Sequence, residues 1–212
     1  MSLRDRALEG IALQLSQPHG AIGRVVGPLL DCGNAAAIRG ACDATGAARG
    51  QVVADVGFGG GAGLSALLAR VAPGGIVHGI ELSPAMLDRA RRRHRDAVRL
   101  GHLMLHPGDL RSLPLPDAAL HALVTVNTFY FVPDLPPVCA ELNRVLRPEG
   151  TAVVGIADPA TMEKIPYTAY RFVIRPVDEV CRGLESAGLE LVEDRSVGDG
   201  PGACHLLITR KR

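Results

Sequence analysis

A glycine-rich loop directly after an apolar run is the part of this chain best suited to chemistry. The run covers residues 51–56 and is rich in β-branched side chains, and glycine occupies most positions from 57 to 63. This pattern predicts a buried strand, a tight loop and the start of a helix. Glycine lets a backbone turn sharply and lets a ligand approach it closely. We therefore expect a site for a nucleotide-like cofactor, formed by Asp55, Gly57, Phe58, Gly59 and Gly61.

Three acidic residues fall at the ends of predicted strands, where ligands of open α/β sheets bind. Asp55 closes the first strand. Glu81 closes the second and can accept hydrogen bonds from ribose hydroxyls, although an acid there could also simply face water. Asp109 follows the third and could accept from an adenine amino group while the Leu110 N–H bonds a ring nitrogen. Residues 107–109 taken alone are an ordinary turn, so it is the set of three acids that indicates an adenosine-containing ligand.

Asp55 distinguishes between two classes of cofactor. A pyrophosphate binds backbone N–H groups at a helix N-terminus, and a carboxylate directly before that loop would repel it. S-adenosylmethionine has no phosphate but carries an ammonium and a sulfonium, which an acid stabilises. Asp55 could also hold the turn by accepting hydrogen bonds from the loop. The sequence favours S-adenosylmethionine over a dinucleotide.

The elements that would position these residues alternate regularly from residue 51 onward. The pattern predicts an α/β fold with a Rossmann-like, doubly wound sheet of seven strands, mostly parallel with an antiparallel last strand. The strands are expected at 51–56, 76–81, 102–106, 120–127, 151–157, 189–197 and 204–210. The helices between them are expected at 62–72, after Ser83, at 135–146 and at 177–187. Residues 1–50, with helices at 3–16 and 34–43 and Asn34 as a possible cap, are predicted to be an N-terminal helical cap on a single cofactor-binding domain of residues 51–212.

The composition excludes several classes of protein. Apolar residues make up 47% of the 212, which argues against a disordered chain, and the net charge of +1 gives no reason to expect nucleic acid or a membrane as partner. No signal-peptide core or membrane-spanning apolar run is visible. The five cysteines are scattered, which fits free thiols in the cytoplasm. The arginine-rich segment 89–99 is interpreted as a solvated helix face, and the oligomeric state is left open, with a homodimer as one option.

Four ordered segments of this chain resemble the class I S-adenosylmethionine-dependent methyltransferases, in particular the ubiquinone/menaquinone-methyltransferase-like subgroup. They are residues 55–61, 79–87, 108–117 and 141–150, within a stretch of about half the chain. The resemblance departs from the family at Leu120-His121 and at Pro148-Glu149-Gly150. It implies that Gly57 and Gly59 line the methionine part of the cofactor, Glu81 holds the ribose, Leu82 and Met86 flank the adenine, Asp109 and Leu110 bind its edge, and Asn127 faces the amino-acid end.

The aromatic residues fall in three places, each after a predicted strand: Phe58; residues 129–131; and Tyr167, Tyr170 and Phe172. Their concentration at one edge of the sheet indicates a pocket for a flat or apolar acceptor, formed by Phe129, Tyr130, Tyr167 and Tyr170. Packing of the N-terminal segment onto the sheet explains the same pattern equally well.

Candidate catalytic residues are His19, Tyr130 and Asp158. A methyl transfer to O, N or C is an in-line displacement for which alignment is the main requirement. A general base is needed only for a protonated acceptor. His19 and Asp158 could serve as that base, although the pattern around His19 favours an exposed loop residue, and Tyr130 could position an acceptor hydroxyl. Residues 127–130 also weakly resemble the Asn-Pro-Pro-Tyr motif of amino-group methyltransferases, without its prolines. No cluster has metal-ligand spacing.

We expect a metal-independent enzyme that methylates a small molecule, with S-adenosylhomocysteine as its product. Two alternatives remain open: an NAD(P)-binding oxidoreductase, and a protein that binds S-adenosylmethionine without turnover.

Overall fold

The structure is a computed structural model, which describes residues 2–16, 34–198 and 203–212. Its strands are β1 (Val52–Val56), β2 (Ile76–Glu81), β3 (Leu103–Pro107), β4 (Leu120–Val126), β5 (Leu146–Ala157), β6 (Leu189–Val197) and β7 (Cys204–Lys211). Its helices are α1 (Leu3–Ser16), α2 (Ala35–Ala44), α3 (Ala62–Val71), α4 (Pro84–Arg93), α5 (Arg95–Arg99), α6 (Leu135–Val145), α7 (Pro159–Met162) and α8 (Val177–Ser186). Short 3₁₀ turns lie at Phe129–Phe131 and Pro166–Ala169.

All seven strands form one sheet in the order β3-β2-β1-β4-β5-β7-β6. The pairs from β3 to β5 are parallel, and β7 is antiparallel to both of its neighbours. This topology confirms the predicted fold class. The chain order reverses between β1 and β4, and the crevice beyond the carboxyl ends of those two strands is where a doubly wound sheet binds its ligand.

Each face of the sheet carries its own hydrophobic core. Along β1, Val53 packs into one core while Ala54 and Val56 pack into the other. All three are nearly inaccessible to solvent, as the apolar run predicts. A parallel sheet buried on both faces holds its strand ends rigidly, and that rigidity fixes the positions of the loops that carry the acidic residues.

Helix α2 packs directly on the sheet. Its buried residues Ala37, Ala41 and Cys42 belong to the same core as Val53 of β1. A Cβ added at Gly40 would lie 3.1 Å from Leu206 of β7, so the helix approaches the sheet closely. The division of the chain at residue 50 remains a prediction, but α2 contributes to the core of residues 51–212.

Three local expectations are corrected. Asn34 precedes α2, but its side chain makes no capping hydrogen bond. The arginine-rich helix after β2 is broken at His94 into α4 and α5. Strand β5 begins at Leu146, which pairs with Leu120; residues 147–150 then bulge out before pairing resumes at Thr151. Ser83 does cap α4, with its hydroxyl accepting from the N–H of Met86.

None of the helices in residues 2–16, 34–198 and 203–212 is long and apolar enough to cross a membrane.

Candidate functional site

A cavity of about 530 Å³ opens beyond the carboxyl ends of the parallel strands. One part of its wall comes from the loops after β1, β2 and β3, which carry the glycines and the three acids. The other part comes from the segments after β4 and β5. Residues of α1 and α2 contribute as well, namely Leu15, Ile38 and Cys42, together with Asn34.

The glycine loop adopts backbone conformations that other residues avoid. Gly57, Gly59 and Gly61 have φ angles of +72°, +51° and +91°, in the left-handed region where only glycine is free of a Cβ penalty. The Gly57 N–H donates to the carbonyl of Ile80 at 2.8 Å, which joins the loop to β2. A Cβ at Gly57 would overlap the side-chain methyl of Thr128. The loop therefore carries no Cβ at these three positions and packs tightly against Thr128 at Gly57.

Asp55 is 6% exposed and lies against the first turn of α3. A Cβ at Gly63 would overlap its carboxylate, so glycine at 63 is what makes room for this acid. The N-terminal end of a helix stabilises a negative charge, which offsets part of the cost of burying Asp55. Burial and the nearby charge of Asp55 raise the pKa of the Cys42 thiol to about 12, so this cavity residue stays protonated.

Glu81 is held at the end of β2 by two backbone donors. Its Oε2 accepts from the N–H of Gly59 at 3.0 Å, and its Oε1 accepts from the N–H of Ser83 at 2.9 Å. Burial raises the pKa of Glu81, and these hydrogen bonds act in the opposite direction. An ionised carboxylate has about four acceptor positions, so each oxygen keeps capacity for a further donor.

Asp109 is engaged by its neighbour Arg111. Its Oδ1 accepts from the Arg111 backbone N–H and its Oδ2 from the guanidinium, both at 2.7 Å. The side-chain hydrogen bond to Arg111 lowers the pKa of Asp109, which keeps it ionised. These local contacts fit the ordinary-turn interpretation, and an adenine amino group would have to share the carboxylate with Arg111.

Asn127 links three segments around the cavity. It follows β4 with a φ of +57°, and its Oδ1 accepts from the Ala157 N–H at 3.2 Å and from the Tyr130 hydroxyl at 3.3 Å. Its Nδ2 donates to Oδ1 of Asn34 at 2.9 Å. The side chain therefore ties the end of β4 to the end of β5 and to the residue before α2.

Four aromatic rings from the segments after β4 and β5 form a connected cluster. Phe131 and Phe172 meet edge to face with centroids 4.8 Å apart. Tyr130 and Tyr167 both pack near Phe172, at 5.8 and 6.0 Å. All four rings line the cavity. The Tyr130 hydroxyl is bonded to the backbone N–H of Ala157, and burial raises its pKa, so it is held as a neutral hydroxyl.

Residues 54–154 match the sequence profile of a family described as Methyltransferase domain. This segment is a methyltransferase domain. The resemblance to S-adenosylmethionine-dependent methyltransferases that the sequence predicted is thereby confirmed, and S-adenosylmethionine is the cofactor it implies.

The methyltransferase domain has both sequence relatives and structural neighbours. A malonyl-[acyl-carrier protein] O-methyltransferase of Halorhodospira halophila is 34% identical over 113 residues, covering 53% of this chain and 37% of the relative. An S-adenosylmethionine-dependent methyltransferase from Aquifex aeolicus aligns with a TM-score of 0.72 and 20% identity, over 96% of this chain and 98% of that one. Geranyl diphosphate C-methyltransferase from Streptomyces coelicolor, solved with Mg²⁺ and S-adenosyl-L-homocysteine, aligns with a TM-score of 0.69 and 18% identity, over 83% and 75% of the two chains.

These likenesses differ in what they establish. At 18–20% identity, the structural neighbours show that the fold is shared. The chain spans only 29–37% of the length of the first three curated relatives that it matches. The domain is therefore established by the sequence match, while the activity of the whole protein is a matter for proposal.

The structure brings most of the predicted cofactor residues of the methyltransferase domain to the cavity. Those that line it are Asp55, Gly57, Phe58, Gly59, Glu81, Leu82, Asp109, Leu110 and Asn127. Met86 does not line it, because its side chain is fully buried in the core beneath α4. Gly61 also lies outside the lining; it precedes α3, and its N–H bonds the carbonyl of Phe58 at 2.9 Å.

Of the predicted acceptor residues, Tyr130 and Tyr167 line the cavity and two others do not. Phe129 is 2% exposed and packs into the core on one face of the sheet. The hydroxyl of Tyr170 donates to Asp5 of α1 at 3.2 Å, so this residue holds the N-terminal helix. Phe129 and Tyr170 therefore pack against the rest of the fold, whereas Tyr130 and Tyr167 line the cavity.

The two candidate bases receive no support from position. Asp158 lies outside the cavity lining, where its carboxylate accepts from the Thr161 N–H at 2.8 Å and caps α7. His19 lies outside the described residues. In residues 2–16, 34–198 and 203–212 no group of three or more His, Cys, Asp or Glu side chains could hold a metal.

The cavity also contains residues that the sequence did not single out. Met162, Ile165 and Arg171 line it from the segment after β5, and Ile38 and Cys42 line it from α2. The sequence predicted a helix at residues 34–43 but gave no sign that it would line the cavity. For Arg171, its position directly before Phe172 in an aromatic stretch was the one available signal.

Proposed function

We propose that this chain transfers the methyl group of S-adenosylmethionine to a small-molecule acceptor by in-line displacement, without a metal. The observation that carries the proposal is the position of Glu81, whose carboxylate is fixed by Gly59 and Ser83 beside a bare glycine loop. A ribose with two adjacent hydroxyls could use the acceptor capacity that remains on this carboxylate.

The residues present fit that cofactor. Gly57 and Gly59 offer a surface without Cβ atoms, so an extended ligand can lie directly on the backbone. Asp55 and Glu81 give this half of the cavity a negative charge, which favours a ligand with a sulfonium and an ammonium. Leu82 and Leu110 supply apolar surface for a flat base. When bound there, S-adenosylmethionine supplies an electrophilic methyl group.

The chain's own residues then have three tasks. The glycine loop and Glu81 fix one reactant, and the aromatic cluster of Tyr130, Phe131, Tyr167 and Phe172 confines the other. Bringing two reactants into line at near-attack distance is the principal way to accelerate such a displacement. Asn127 lies between the cofactor part and the acceptor part of the cavity. Its side chain is hydrogen-bonded to Asn34, Tyr130 and Ala157, so it can hold the loops after β4 and β5 in a fixed position relative to each other.

The acceptor remains open within this proposal. The relatives named above include an O-methyltransferase and a C-methyltransferase, so similarity does not choose the atom that is methylated. Tyr130 is proposed as a positioning group, because its hydroxyl is already bonded. A role for Asp158 or His19 as a base, a homodimer and a cytoplasmic location all remain predictions.

Titration calorimetry with S-adenosylhomocysteine tests the cofactor site. We expect the wild type to bind it and to bind NADH much more weakly. Glu81→Gln should lower the affinity for S-adenosylhomocysteine at least about tenfold, because hydrogen bonds to a charged acceptor contribute roughly 1.5–3 kcal/mol. Glu185→Gln, an exposed site on α8 that makes the same charge change, is the matched control. Equal affinities in the two variants would refute the role of Glu81.

Turnover is tested separately, by release of S-adenosylhomocysteine in the presence of phenolic, quinone and amine acceptors. Tight binding without release from any of them would favour a protein that binds the cofactor but does not transfer its methyl group.

A further inference from the structure

Negatively and positively charged side chains line different parts of the cavity. Among residues 2–16, 34–198 and 203–212, three carboxylates line it, those of Asp55, Glu81 and Asp109, and all three belong to the loops and strand ends on the cofactor side. Two cations of the same ranges line it as well. Arg111 is paired with Asp109 at 2.7 Å. Arg171 comes from the segment after β5, next to the aromatic cluster, and makes no hydrogen bond or ion pair with any side chain of residues 2–16, 34–198 and 203–212.

Arg171 is held at this rim by an unusual backbone conformation. Its φ is +61°, in the left-handed region that residues with a Cβ avoid for steric reasons. Such strain persists only where the surroundings fix the chain, and it concentrates at ligand sites. Here the chain is fixed on the C-terminal side, because the Val173 N–H donates to the carbonyl of Tyr130 at 2.8 Å.

A second anchor lies two residues further on. The guanidinium of Arg175 donates to the carbonyls of Phe129 and Val132, the latter at 2.8 Å. Two arginines in one short segment therefore behave differently. Arg175 is engaged by the backbone of the loop after β4. Arg171 is exposed beside Tyr167 and Phe172, and within the described part of the chain its charge has no ion-pair partner.

We propose that Arg171 selects the acceptor, and that the acceptor is an aromatic or apolar molecule bearing an anionic group such as a carboxylate, sulfonate or phosphate. This inference rests on the methyltransferase proposal above. The apolar body packs against the rings of Phe131, Tyr167 and Phe172, and the anionic group pairs with Arg171 at the rim. Guanidinium forms bidentate, charge-assisted hydrogen bonds with such groups. The carboxylates of the cofactor half repel the same anion, so the two reactants enter the cavity in one orientation.

The test uses two fluorescent probes with nearly the same aromatic skeleton, anilinonaphthalene sulfonate and the neutral phenylnaphthylamine. Each is titrated into the 212-residue chain saturated with S-adenosylhomocysteine. We expect the sulfonate probe to bind the wild type about tenfold more tightly than the neutral probe. Arg171→Gln should remove most of that preference and Arg171→Lys should keep part of it.

Two further variants keep the result specific to this site. Arg92→Gln removes an equal charge from an exposed position of α4 and should leave the preference unchanged. Tyr167→Ala should weaken both probes alike, because the ring contacts the body of the ligand and not its charge. The affinity of each variant for S-adenosylhomocysteine reports that the fold is intact.

The failures can be told apart. If the wild type does not bind S-adenosylhomocysteine, the methyltransferase proposal fails. If it binds S-adenosylhomocysteine but shows no preference for the sulfonate, or if Arg171→Gln keeps the preference as Arg92→Gln does, only the role of Arg171 is overturned.

Discussion

The side-chain amide of Asn127 donates to the side-chain oxygen of Asn34 at 2.9 Å, across 93 positions of sequence. This bond joins the end of β4 to the residue that precedes α2. Because Ile38 and Cys42 of α2 line the cavity, the same bond holds one wall of the cavity in place. The N-terminal segment is therefore coupled to the site through a pair of neutral side chains and not only through apolar packing.

Asn34→Ala should lower the free energy of unfolding by about 1 kcal/mol, the contribution of one typical hydrogen bond. It should also weaken S-adenosylhomocysteine binding severalfold, because the α2 wall is less firmly held. Urea unfolding and calorimetry measure the two effects. A double-mutant cycle with Asn127→Ala supplies the control: the two changes should be less than additive, and full additivity would show that the bond contributes nothing.

Gly57→Ala should abolish cofactor binding and destabilise the fold by more than about 2 kcal/mol, because it adds both a left-handed backbone penalty and a steric overlap with Thr128. Gly46→Ala separates the two causes. Gly46 has a φ of +62° but open space around it, so only the backbone penalty applies. Thr128→Ser removes the overlapping methyl and should partly rescue Gly57→Ala. An equal loss for both glycine variants and no rescue would contradict the steric explanation.

The features that the sequence predicted correctly are those determined by residues close together in the chain. The run at β1, the glycine loop, Ser83 as a cap and Glu81 at a strand end all depend on residues within a few positions of one another. Spacing and residue type therefore predicted them, and the alternation of strands and helices gave the fold class. Even Asp55 has a close neighbour, Gly63, in the helix that directly follows the same loop.

The features that the sequence did not predict are those determined by contacts between residues far apart in the chain. The sequence marked Asn34 as a cap, but its partner is Asn127, and nothing local connects the two. Phe129 and Tyr130 are adjacent aromatics and both are buried in the core, yet Tyr130 also lines the cavity and Phe129 does not. Tyr170 is similar to Tyr167 in sequence context, but it turns toward Asp5. Which side of a turn a residue faces depends on tertiary packing, which no periodicity encodes here.

His78 and His106 provide a prediction about pH. Their rings lie on the neighbouring strands β2 and β3, with Nδ1 of His78 and Nε2 of His106 3.0 Å apart. Burial lowers the pKa of His78 to about 4, with a smaller contribution from the charge of His106. A base whose pKa is lower in the folded state stabilises the fold at pH values above its unfolded pKa of about 6.5, and that stability is lost as the pH falls toward about 4.

The free energy of unfolding should therefore decrease by about 1–2 kcal/mol between pH 7 and pH 4.5 through this pair, after allowance for partial solvent screening. His78→Gln should flatten that part of the profile, whereas His102→Gln, at an exposed position, should leave it unchanged. Urea unfolding at a series of pH values measures the slope. Parallel profiles for the wild type and His78→Gln would show that the pair is not the cause.

Tyr130→Phe distinguishes a structural from a catalytic hydroxyl. The hydroxyl bonds the backbone of Ala157 and the side chain of Asn127, so its removal deletes these hydrogen bonds and should cost about 1–2 kcal/mol of unfolding free energy. Because the hydroxyl is already engaged and burial raises its pKa, we expect methyl transfer to fall by less than about tenfold. Tyr167→Phe, at the cavity rim, is the matched control and should leave stability nearly unchanged. A loss of turnover of roughly 100-fold or more in Tyr130→Phe, with stability and S-adenosylhomocysteine affinity retained, would instead make the hydroxyl part of the chemistry.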